Sequence, residues 1–230
     1  MKKIIDENNI KTTIFYENIS PDIILIQPTG EHEKNSIEEE YNLIKQKCKM
    51  NFAFAAFEIK DWNFELSPWN ARQAFGDEKF GNGGEKTLEN IKNILIPQLE
   101  KFFSSKPKYI LGGYSLAGLF SLWSAYHTNI FFGIAACSPS VWLDGWIEYA
   151  EKNSIKTENI YLSLGNKEHK TRNFMMKTVK DKIILQEKLL ENKNVFLEFN
   201  SGNHFQDTVE RKAKGFLWCL NNEELRCQLR

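Results

Sequence analysis

The chain changes character at Ser115, within Gly112-Gly113-Tyr114-Ser115-Leu116-Ala117-Gly118. Before it, Tyr109-Ile110-Leu111 reads as a short apolar strand. After it, Leu116, Phe120, Trp123 and Ala125 recur at helical spacing. A strand, a sharp turn and a helix with serine at the apex hold the hydroxyl above the C-terminal edge of a sheet, as in a nucleophile elbow. Small residues must flank that serine because the turn presses the helix against the strand. The helix N-terminus and the Leu116 amide then point at an oxyanion forming on a substrate. The segment fits G-x-S-x-G except that Ala117 replaces the second glycine, a change of one methyl.

A serine hydroxyl is a weak nucleophile until a base takes its proton, and the base is usually oriented by a carboxylate. Around an elbow of this kind the chain order is serine, acid, histidine. Of the four histidines, only His169 and His204 follow Ser115 across another strand. His204 lies in Ser201-Gly202-Asn203-His204-Phe205, directly after the last predicted strand and before the last helix, which places it at the same sheet edge. His169 falls in the loop expected to carry the acid and is the weaker base candidate. His32 sits in a charged loop, and His127 falls at a helix end. Glu168 is the only carboxylate in Ile160–Asn173, the strand and loop where the acid is expected. Asp144, one strand earlier, is the second candidate, and Asp207 reads as a helix cap.

These residues need a scaffold that brings three distant segments to one edge. Runs of β-formers alternate with segments of helical period, which predicts an α/β fold with a mostly parallel central sheet and helices on both faces. The expected strands are 11–16, 23–27, 51–59, 109–112, 133–137, 160–164 and 195–199. Helices are expected from a capping box at Ser36-Ile37-Glu38-Glu39 to about Lys47 and over 87–103 with a kink at Pro97. Others are expected over 116–127, over 173–191, and from Asp207-Thr208 to about Leu220. No repeat or linker divides the chain, so residues 1–230 read as one domain. The irregular stretch 60–84 carries Trp62, Phe64, Trp69 and Phe75. With Trp142, and with Tyr114 beside the serine, these aromatics are candidates for a substrate pocket or for anchors of a long loop. Its Gly-Asn-Gly-Gly-Glu-Lys-Thr run is not a phosphate loop, because Glu85 stands where glycine must precede the lysine.

Thirty basic residues balance thirty acidic ones, so net charge offers no footprint for nucleic acid or an anionic membrane. The four cysteines show no paired metal-knuckle spacing and fit a reducing compartment. The apolar run at Ile4-Ile5 is too short for a signal peptide, and the charge-free stretch from Ile110 to Tyr126 reads as buried core. The expectation is a cytoplasmic protein with a small-molecule partner.

Four segments carry a family resemblance: GGYSLAGLFSLW around Ser115, AACSPSVWLDGW, IYLSLGNKE and SGNHF. Together they resemble the putative-esterase branch of the α/β-hydrolase superfamily, which includes enterochelin esterase-like, esterase D-like and feruloyl esterase-like proteins. The resemblance spans about Ile23 to Leu220. It implies an α/β-hydrolase fold, no cofactor or metal, and hydrolysis of a carboxylic ester or thioester. It also implies Ser115 as nucleophile, Glu168 as acid and His204 as base. It further implies a second oxyanion donor from the loop after the strand at 23–27, where Thr29 or Gly30 would offer an amide beside that of Leu116. Two other readings keep the scaffold: an acyltransferase with the same triad, and a ligand-binding protein without a reactive serine.

Overall fold

In a computed structural model of the chain, which describes residues 1–72 and 79–228, eight strands form one sheet in the order β1-β2-β4-β3-β5-β6-β7-β8. These are β1 (Lys2–Glu7), β2 (Ile10–Tyr16), β3 (Ile23–Thr29), β4 (Phe52–Glu58), β5 (Lys108–Tyr114), β6 (Phe131–Cys137), β7 (Asn159–Gly165) and β8 (Asn194–Asn200). β1 and β2 pair antiparallel, β2 pairs antiparallel with β4, and every pairing from β4 to β8 is parallel.

The strands from β3 to β7 are apolar on both faces, as a parallel sheet covered by helices requires. Alternate residues sort the core into two layers. Ile23, Leu25, Phe54 and Tyr161 pack against α1 (Ile37–Lys47) and α8 (Thr208–Gln228). Ile24, Ile26, Leu111 and Ile134 face the other layer. That layer is built from α3 (Gly84–Asn90), α4 (Ile96–Phe103), α5 (Leu116–His127), α6 (Trp146–Lys152) and α7 (Val179–Leu189). A one-turn helix, α2 (Trp62–Glu65), opens the long stretch after β4. Among the described residues no helix is long and apolar enough to cross a membrane.

Several boundaries differ from the sequence expectation for local reasons. β1 is not marked by alternation, because it is an exposed edge strand; it is held through a tight turn in which Asn8 and Asn9 both have positive φ. The helix expected over 87–103 is split by a π turn at Ile91–Leu95. Pro97 lacks the N–H that would bond Asn93, and its ring crowds that turn. Ser36 makes no side-chain cap; its hydroxyl instead donates to the Glu33 carbonyl at 2.9 Å. α7 begins at Val179 rather than near 173, because the Asn173 side chain accepts the amides of Met175 and Met176 and holds a turn there. α6 was not expected, and α8 continues to Gln228 rather than ending near Leu220.

Candidate active site

Ser115 closes the turn between β5 and α5 with φ 57° and ψ −118°, a conformation that serine adopts only where the surroundings enforce it. Its amide donates to the Cys137 carbonyl at 3.0 Å, and its own carbonyl accepts the amides of Leu119 and Ser140. The glycines explain how the corner fits. A Cβ on Gly113 would stand 2.6 Å from the Ala117 Cβ, so the alanine that departs from the motif fills the space Gly113 leaves. A Cβ on Gly118 would meet the Cys137 carbonyl at 2.9 Å, where α5 crosses β6.

The three expected residues come together at the C-terminal edge of the sheet. The Ser115 hydroxyl lies 3.0 Å from His204 Nε2, and His204 Nδ1 lies 2.7 Å from Glu168 Oε2. Because a carboxylate only accepts, Nδ1 carries the proton and Nε2 is left to receive one from Ser115. Glu168 is buried, and its Oε1 accepts the Ser138 hydroxyl (2.7 Å), the Gly165 amide (2.6 Å) and Arg211 Nη1 (3.2 Å). A buried carboxylate held by donors on one oxygen keeps the other for the imidazole. Gly165 is glycine for lack of room: a Cβ there would lie 2.7 Å from the Gly202 carbonyl and 2.8 Å from Glu168 Oε1.

The alternatives lie elsewhere. The Asp144 carboxylate pairs with Arg72 at 2.6 Å in an exposed position, and its carbonyl accepts the Trp69 indole N–H. His169 is half-buried and outside the three-residue chain, while His127 bonds the Tyr149 hydroxyl at 2.9 Å. His32, exposed and edge-on to Trp62, does line a space shared with Ser115.

Sequence reasoning missed the residues that hold this arrangement. Arg211 on α8 is almost fully buried and ties several segments together: Nη1 donates to the Tyr114 hydroxyl (2.9 Å) and to Glu168, and Nη2 donates to the Ser201 carbonyl (2.7 Å). In the sequence it is one cation in Glu-Arg-Lys-Ala-Lys and looks like a solvated helix face. Tyr114 donates in turn to the His204 carbonyl at 2.9 Å, and burial with the nearby Glu168 charge pushes its phenol up to about 12. It therefore clamps the histidine loop as well as lining a cavity. Ser140, from the Ser-Pro-Ser segment, brings its hydroxyl within 3.3 Å of the Ser115 hydroxyl.

Three cavities of about 260, 250 and 240 Å³ meet at His204 and Phe205. Trp62 and Trp142 wall the one that also holds Ser115, Leu116 and Ser140. Trp69 does not line any of them; it stacks on Trp146 and packs against Tyr149, so it is an anchor of the loop. Phe64 packs against Gly81 and Gly83, and Phe75 lies outside the described residues. Leu116, the first residue of α5, has an amide without an intrahelical acceptor and lines the Ser115 cavity. Thr29 is the last residue of β3, and a separate cavity with Thr13, Lys34 and Glu58 lies against it. The Gly30 amide is turned toward the Glu33 carboxylate at 3.5 Å, although Gly30 lies against His32 and Trp62 at the margin of the serine cavity.

No family model and no curated protein sequence matches this chain. Solved structures do. A siderophore hydrolase, EstA from Aspergillus nidulans, superposes with a TM-score of 0.73 at 16% identity, covering 96% of this chain and 94% of its own. An IroE-like serine hydrolase from Shewanella oneidensis gives 0.73 at 12% identity, covering 94% of this chain and 78% of its own. The enterobactin esterase FES from Shigella flexneri gives 0.66 at 12% identity, with 98% of this chain covering 59% of that one. With the strand order above, this similarity establishes an α/β-hydrolase fold.

Proposed function

We propose that this protein is a serine hydrolase that cleaves a carboxylic ester or thioester through an acyl-enzyme. The observation that carries the reading is the unbroken hydrogen-bonded chain from Ser115 to His204 to Glu168, built on a strained elbow. His204 Nε2 takes the Ser115 proton as Oγ attacks the ester carbonyl. The imidazolium, steadied by Glu168, then gives that proton to the departing alcohol or thiol. Water enters against the acyl-enzyme, loses a proton to His204 and releases the acid with Ser115 restored. The Leu116 amide receives the oxyanion at the N-terminus of α5. The Gly30 amide is the second donor, exchanging its long bond to Glu33 for the substrate oxygen. Trp62 and Trp142 flank the reacting carbonyl.

The esterase and hydrolase names of the structural neighbours support an ester as the substrate class. A fluorophosphonate probe tests the reading, because it reacts with an activated serine. The expected result is one covalent adduct, mapped to Ser115 and absent from Ser115→Ala and from His204→Ala. A protein left unlabelled by the probe would support a binding role on the same scaffold instead.

A further inference from the structure

Beyond His204 the site opens into a space that attack at the carbonyl does not require. This cavity, of about 260 Å³, is lined by Trp142, Met176, Val179 and Phe205 and by the loop after β7 with Lys167 and Lys170. It shares Trp142, Met176, His204 and Phe205 with the cavity that holds Ser115. One arm of a substrate whose carbonyl sits at Ser115 therefore reaches it past Met176 and Phe205.

The charges on its walls that have no charged partner are of one sign. Glu168 is the only lining carboxylate, and it is committed to His204, Ser138, Gly165 and Arg211. Among the described residues neither Lys167 nor Lys170 pairs with a carboxylate. Arg172 is exposed on the same loop, and Lys182 donates to the Trp142 carbonyl at 3.3 Å. A concave, partly apolar space walled by unpaired cations concentrates an anion, although the whole chain has formal net charge 0.

We infer that this cavity is a specificity subsite for an ester whose one arm is apolar and ends in an anionic group such as a carboxylate, held by the Lys167 and Lys170 ammoniums. The inference rests on the hydrolase reading of Ser115 and adds the substrate's charge to it. Apolar contact comes from Trp142, Met176, Val179 and Phe205, and the ammoniums meet the anion at the exposed end. Lysine suits this task because its flexible stem carries a point charge that follows the ligand.

The test uses two pairs of matched esters, each a carboxylate against its isosteric primary carboxamide. In one pair the group is on the acyl arm (a 4-nitrophenyl hemiglutarate and its glutaramate). In the other it is on the alcohol arm (4-carboxyphenyl and 4-carbamoylphenyl butanoate). For the unaltered protein, kcat/KM should favour the carboxylate about tenfold in at least one pair, the scale of two partly solvated ion pairs. That preference should shrink between about 20 mM and about 500 mM salt as the charges are screened. In the Lys167→Gln, Lys170→Gln double variant the ratio should fall to near one, and in Lys167→Glu, Lys170→Glu it should invert. Both lysines are exposed, so the variants keep their fold. Turnover with a ratio near one in both pairs, or a preference that the substitutions leave in place, overturns the subsite while leaving the hydrolase reading intact. Failure to turn over any of these esters by a protein that the fluorophosphonate labels at Ser115 overturns the subsite alone, and failure by a protein it leaves unlabelled overturns the hydrolase reading and the subsite with it.

Discussion

Glu168 offers one oxygen to His204 and the other to Ser138, Gly165 and Arg211, so its loss and the loss of its holder should read differently. Glu168→Gln keeps the shape but puts an amide against Nδ1, which favours the wrong tautomer. The expected loss is up to about 10⁴ in kcat with KM roughly kept, since the acid acts mainly on the transition state. Asp144→Asn should have a small effect, because among the described residues Asp144 bonds Arg72 and Trp69 and not His204. Kinetics of both variants on one ester decide between them, and a crippled Asp144→Asn would reverse the assignment. Arg211→Met should lower kcat less than Glu168→Gln. KM should stay roughly as it is, because Arg211 acts through the Glu168 carboxylate and the Tyr114 hydroxyl. A purely structural arginine would change stability and leave kcat of the folded variant unchanged. Ser115 and His204, the proposed nucleophile and base, are legible in the sequence because both lie at strand ends with glycines that mark the turns. Chain order points to Glu168 as the proposed acid with Asp144 second, and Arg211 is not legible because a buried and a solvated arginine look the same on a helix.

The elements show the same division. Strands β3 to β7 could be read from their apolar runs, since burial on both faces demands continuous apolarity, and β8, half-exposed, from its Val, Phe and Leu. The edge strand β1, the π turn before Pro97 and the turn at Asn173 depend on pairing and side-chain bonds that periodicity does not record. At the elbow, element packing rather than chemistry sets the residue types. Gly118→Ala would press a methyl against the Cys137 and Gly113 carbonyls, at 2.9 and 3.0 Å, where backbone cannot move aside cheaply. A destabilisation of about 1–3 kcal/mol is expected. Urea denaturation checks it, and an unchanged midpoint would show that α5 can shift off β6 without cost.

Across the whole molecule, α8 is pinned to α1 and to the loop after β3 by a buried charge cluster. Lys212 Nζ lies 2.8 Å from Glu33 and 2.9 Å from Glu40, and Gln27 donates to Glu40 at 3.2 Å. Burial works against the ammonium, but Glu40 and Glu33 outweigh it and raise the Lys212 pKa above its ordinary 10.5. A folded-state pKa above the unfolded one gives stability that is fully present below about 10.5 and is lost as pH rises through the folded value. Lys212→Met should therefore destabilise by about 3–5 kcal/mol near neutral pH, because it strands Glu40 as an unpaired buried carboxylate. Chemical denaturation from pH 7 to 11 checks this, and the gap between variant and unaltered protein should narrow at the alkaline end. The same α8 carries Arg211, so the cluster and the candidate active site share one rigid element. That site stands or falls on Ser115. The decisive measurement is kcat of Ser115→Ala on an ester that the unaltered protein turns over, in a preparation shown by mass to be free of the parent chain. A loss of about 10⁵–10⁶ is predicted, and undiminished turnover would contradict a covalent mechanism at this serine.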